Sequence, residues 1–143
     1  MNKLIDLDDC LAKGLIKKSV ASKEQALASI TKAKTLLAEA RGELEDERFN
    51  AAVIVGYLAL LNSSRAILFR DGYRERSHAC IARYLEAKYR DKIPKDYIDL
   101  LDHFRETRHE VQYEADYFAE AEGAKQIIEF AEKFIELIEG LLR

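Results

Sequence analysis

The sequence has one proline and six glycines in 143 residues, a single methionine and no tryptophan. So few backbone breakers write few turns into the chain, which favours long helices over many short strands. Only two cysteines occur, Cys10 and Cys80. No Cys-x-x-Cys pair or Cys/His cluster accompanies them, which argues against a structural zinc site or any other metal. No signal peptide is visible, so a reducing, cytoplasmic setting is expected, with both cysteines as free thiols. The longest apolar run, residues 51–61, falls short of the roughly 20 residues that cross a bilayer. It reads as a buried core helix, and no membrane partner is expected. The phosphate-binding P-loop and the dinucleotide glycine fingerprint are missing, as is the Gly-x-Ser-x-Gly nucleophile elbow. No stretch alternates apolar and polar residues as a strand would, and no repeat stands out.

What is present is a soluble composition: 48% hydrophobic and 34% charged. The length suits one domain with one core. The net charge of −3 hides an uneven distribution, because residues 65–95 hold nine Lys/Arg against four Asp/Glu. A local basic region on an acidic chain attracts phosphate without making the whole molecule adhesive, though a solvated face has the same composition.

Residues 1–20 read as a short N-terminal helix and linker, and residues 21–143 as the main domain. Ser22 and Gln25 have capping-box spacing. Ala26, Leu27, Ile30, Ala33, Leu37 and Ala40 then mark one helical stripe to about Gly42. A second helix from about Glu47 to Phe69 is apolar nearly all round in its first half, as a central helix should be. Gly72 suits the left-handed position after it. A shorter helix runs from about Ser77 to Tyr89. Pro94 opens another, Lys95 to Tyr113, and the last spans about Phe118 to Leu142. The expected fold is all-α, an up-and-down bundle of four main helices plus the short N-terminal one.

Chemistry concentrates near the end of the fourth of these, in "FRETRHEVQYEADYF", residues 104–118. Residues four apart share a helix face, so Arg108 with Gln112, and His109 with Tyr113, make one compact polar patch. It combines a fixed cation, a group that titrates near neutrality, an amide and a phenol. Arginine offers phosphate two parallel hydrogen bonds, and histidine can donate to it or move a proton. The competing reading is an exposed polar helix face. Arg65, at the polar end of an apolar helix, must face water, a partner or a carboxylate. His78 either joins a nucleotide pocket or is a helix-start histidine satisfied by the backbone. His103 reads as a surface residue, and Asp116 and Tyr117 as helix-end residues.

The segment "RFNAAVIVGYLALLNSSRAILFRDGYRERSH", residues 48–78, resembles the signature half of the HEPN domain family, the higher-eukaryote and prokaryote nucleotide-binding domain. Asn50, Tyr57, Ala66-Ile67-Leu68, Gly72 and Ser77-His78 carry the likeness, and "RHEVQY" falls where the family has its Arg-centred motif. The resemblance covers roughly residues 20–142 in helix order. It implies a homodimer that binds a nucleotide or RNA, with Arg108, Gln112, Arg65 and His78 toward phosphate. It also implies a metal-independent, cofactor-free ribonuclease in which Arg108 stabilises the transition state. Several such proteins are prokaryotic toxins paired with a minimal nucleotidyltransferase. The family's motif places a histidine four to six residues after the arginine. Here Tyr113 stands there, so His109, Tyr113 or a partner chain's histidine would have to handle the proton, or the protein binds without cutting. The alternative function is a non-catalytic helical module that docks a partner protein.

Overall fold

A computed structural model of the chain describes residues 5–143. Among the described residues, the elements follow as α1 (Leu7–Ala12), β1 (Ile16–Lys18), α2 (Lys23–Glu45), α3 (Phe49–Asp71), β2 (Tyr73–Glu75), α4 (His78–Lys88), α5 (Lys95–Tyr113) and α6 (Ala121–Leu142). The expected all-α bundle is found. Its four main helices are α2, α3, α5 and α6, with α1 as the short N-terminal helix.

The uniform apolarity of α3 has a direct cause: α2, α5 and α6 all pack against it. By length and hydropathy alone α3 would cross a membrane, but 67% of its apolar window is buried inside the bundle. Leu60, Ile67 and Leu68 share the fully buried centre with Ile127, Phe134 and Ile138. Cutting one of these leucines or isoleucines to alanine would cost about 2–5 kcal/mol. Ion pairs Lys34–Glu139 and Arg41–Glu132 show α2 and α6 running in opposite directions. Helices α3 and α6 run the same way: Gly56 faces Ile127 near their starts, and Arg70 donates to the Leu141 carbonyl near their ends. A Cβ on Gly56 would lie 3.3 Å from Ile127 Cγ2, so glycine lets these two helices approach closely.

The helix ends mostly follow the chain's cues. Ser22 Oγ accepts from Gln25 N at 3.0 Å. The reciprocal half of the expected box is absent because the Ser22 N–H already donates to the Phe69 carbonyl at 2.9 Å. Gly72 takes the left-handed conformation after α3, with φ 86°. Behind it Asp71 Oδ2 accepts from the phenols of Tyr84 and Tyr89 at 2.8 and 2.6 Å, which ties α4 to the end of α3. Burial and then the bond to Asp71 push the Tyr89 phenol up to about 12.

Three expectations are corrected. Strands do exist: β1 and β2 pair antiparallel, Ile16 opposite Glu75, Lys17 opposite Arg74 and Lys18 opposite Tyr73. Three-residue strands are too short to show alternation, and tertiary pairing makes them. Second, Cys10 and Cys80 are not free thiols. They form a disulfide, because α1 packs on α4 and brings their Cα atoms to 5.9 Å. Third, Leu27, assigned to the apolar stripe of α2, is 50% exposed; Ala26 and Ile30 turn inward instead.

Candidate functional site

Along α5, Leu101, Phe104 and Val111 are buried. Arg108 lies four residues after Phe104 and three before Val111, so the helical period turns it towards the same side, against α3. The next residue is rotated by about 100°, and His109 is accordingly exposed. The compact patch of four residues therefore divides. Arg108 faces the bundle with Gln112 beside it, while His109 and Tyr113 stack on the outer face with ring centroids 4.8 Å apart. Tyr113 is 62% exposed.

Three helices build the surroundings of Arg108. Its guanidinium carbon sits 4.6 Å from the centroid of the Tyr57 ring of α3. Its Nη2 lies 3.4 Å from His78 Nδ1, at the first residue of α4. Its Nη1 donates to Gln112 Oε1 at 3.2 Å. Its Nε is buried and has no hydrogen-bond partner. None of these neighbours carries a negative charge. Every other arginine among the described residues that is at least half-buried has a carboxylate. Arg65 pairs with Glu75 at 2.7 Å, Arg70 with Asp71 at 3.4 Å, and both Arg83 and Arg105 with Asp102 at 2.6 Å.

Electrostatics agree with this geometry. Burial first, then the charges of Arg108 and Arg65, lower the His78 pKa, with Glu75 opposing. The imidazole therefore stays neutral at pH 7 and can accept a hydrogen bond or a proton. Burial raises the Tyr57 phenol, against the pull of Arg108 and Arg105, so the ring beneath the guanidinium is neutral too. A cavity of about 20 Å³ lies beneath, lined by Tyr57, Ser64, His78, Leu101 and Arg105 among others. That is room for about one water. A fixed cation resting on an aromatic face, flanked by a neutral imidazole and an amide, has the means to bind an anion and to move a proton beside it.

The structure brings Arg108, Gln112 and His78 together. His109 and Tyr113 stack on the outer face, where His109 lines a shallow surface pocket with Arg105 and Arg108, and Arg65 is occupied by Glu75 through both Nε and Nη2. His103 is exposed, and Asp116 and Tyr117 fall in the turn after α5. Tyr57 is marked in the sequence only by the family likeness and by being a phenol inside an apolar run, and neither signal places it under Arg108. Asp102, which holds Arg105 and Arg83 together, left no signal at all. Among the described residues no group of three or more His, Cys, Asp or Glu could hold a metal ion.

No curated protein matches the chain. The HEPN domain family model matches residues 26–141, from the first turn of α2 to the last turn of α6, and includes every residue around Arg108. The chain belongs to the HEPN domain family.

Proposed function

We propose that this HEPN domain protein binds the phosphate of a nucleotide or RNA at Arg108. The observation that carries the reading is the guanidinium itself: half-buried, unpaired by any carboxylate, with an unsatisfied Nε. A buried cation without a counter-charge is costly, and an incoming phosphate relieves that cost with charge-assisted bonds. Gln112 and His78 orient the guanidinium and can donate to the same anion. Arg65 contributes through its field, since Glu75 occupies its hydrogen-bonding edge.

RNA cleavage without metal is the finer form of the reading. The 2′-oxygen would attack phosphorus, the P–O5′ bond would break, and Arg108 would stabilise the charge gathered on the phosphoryl oxygens. The 2′-hydroxyl proton needs an acceptor. Tyr113 is poorly placed for it, being exposed on the outer face of α5. His78, in contact with Arg108, suits the role better. The leaving 5′-oxygen takes its proton from water. A homodimer and a nucleotidyltransferase partner in a toxin–antitoxin pair belong to the same proposal, supported by the family alone.

The test compares wild type with Arg108→Ala in two assays: binding of a labelled RNA, and cleavage of mixed RNA in chelator. Binding lost in the variant supports the anion site, and chelator-resistant cleavage lost with it supports the nuclease form. Equal binding by both proteins would defeat the proposal.

A further inference from the structure

The family match begins at residue 26, so α1 and β1 lie outside it. This added segment does more than cover the core. Strand β1 pairs with β2 and sets Lys17 directly opposite Arg74. Both side chains are exposed, and neither has a carboxylate at ion-pair distance among the described residues. Arg74 is braced from beneath: its Nε donates to Ser19 Oγ at 3.2 Å and its guanidinium lies over the Phe69 ring. Like charges directly opposite each other weaken a two-stranded ribbon. A ribbon this short has little pairing to offset them.

Basic residues gather around this pair in the sequence. Lys13, Lys18 and Arg76 are exposed nearby, and no acid occurs between Asp9 and Glu24. Glu75, the one acid in the ribbon, turns inward to Arg65 and its side chain is only 9% exposed. The ribbon is also firmly placed. The Arg76 N–H donates to the Leu15 carbonyl at 2.7 Å, and the Cys10–Cys80 disulfide fixes α1 to α4. Arg108 lies over Tyr57 and Arg74 over Phe69, both on α3; twelve residues of helix are about 18 Å, a span that an extended polynucleotide can cover.

We infer that the Lys17–Arg74 ribbon is a second phosphate contact for a strand anchored at Arg108, so the ligand is a polynucleotide strand and not a mononucleotide. The inference rests on the Arg108 reading given above and adds its substrate class. Each phosphate neutralised along a single strand steepens the salt dependence of binding by about 0.7 in log–log slope.

The experiment measures affinity of the full, oxidised chain for UMP and for a labelled ten-uridine RNA at several salt concentrations. Wild type should bind the decamer at least about tenfold more tightly than UMP, with the steeper slope. The double variant Lys17→Ala/Arg74→Ala should bring that ratio towards one and flatten the decamer slope by about 1.4. A charge-matched control, Lys125→Ala/Lys133→Ala on α6, should keep the ratio. An equal loss in the control would show attraction by net charge alone and overturn the inference. So would an unchanged ratio in the ribbon variant, or binding of phosphatidylserine vesicles in preference to RNA. Arg108→Ala is the separate arm: UMP binding that survives it defeats the anchor, whereas a failure confined to the ribbon variant leaves the anchor standing.

Discussion

The guanidinium of Arg108 lies over the ring of Tyr57, 4.6 Å from its centroid, and joins α5 to the central helix at the one half-buried arginine that lacks an acid among the described residues. The contact is with the ring face, so Tyr57→Phe should keep it. Tyr57→Leu should weaken phosphate or RNA binding by about 0.5–2 kcal/mol, the range of a cation–π contact. Titration calorimetry of both variants checks this. Equal affinities would mean that the ring does not position the cation.

Arg65 and Arg108 should respond oppositely to truncation. Arg65→Ala strands Glu75, whose side chain is 9% exposed, and a carboxylate left unpaired at that depth costs roughly 1–3 kcal/mol or more. Arg108→Ala removes a cation with no acid partner and should be close to neutral for stability while removing ligand binding. Urea melts set beside binding curves read both effects. A larger stability loss in Arg108→Ala would contradict the pairing described.

His78 supplies a pH signature. Its folded pKa is depressed below the ordinary 6.5 by burial, then by Arg108 and Arg65, with Arg105 adding to the effect and Glu75 opposing it. The unfolded chain therefore takes up this proton first as pH falls. The stability associated with His78 is intact above about pH 6.5 and is lost as pH drops through the folded value. A phosphate bound at Arg108 should move the His78 pKa upward, because the anion favours imidazolium. NMR titration of the ring protons, with and without inorganic phosphate, gives both numbers. A midpoint indifferent to phosphate would separate His78 from the anion site.

The Cys10–Cys80 disulfide closes a loop of 70 residues. On the chain-entropy account that loop stabilises the fold by about 4 kcal/mol. Reduction, or Cys10→Ala/Cys80→Ala, should lower Tm and leave far-UV helicity nearly unchanged, because α2, α3, α5 and α6 pack on one another without α1. The loss should appear first in amide protection of β1. Unaltered protection in Ile16–Lys18 would show that the covalent link does not hold the ribbon.

Most of the fold was legible because helices advertise themselves locally. Ile127, Ile128, Ala131, Phe134, Ile135 and Ile138 recur at helical spacing, and all are buried. Pro94 and Gly72 punctuate the chain where the helices begin and end. The ribbon was not legible, since Ile16-Lys17-Lys18 has no pattern until Tyr73–Glu75 comes alongside. The disulfide was hidden for the same reason: no local spacing relates Cys10 to Cys80. In the site, the residue type was readable and the direction was not. Arg108 and His109 are neighbours in sequence, yet one helical step sends the first inward to Tyr57 and the second out to solvent. The partners of Arg108 come from α3 and α4, and only packing selects them.

Asn50 accepts a hydrogen bond from the Ala119 backbone at 2.8 Å, from the far end of the connection between α5 and α6. That mooring divides a stretch otherwise free of regular structure into two parts of unequal tolerance. Extra residues grafted at 115–117 would bulge outward and leave the knot intact. The same insertion beside Ala119 would slip the knot and let α6 change its rotational phase against α3, and Gly56 would then no longer face Ile127.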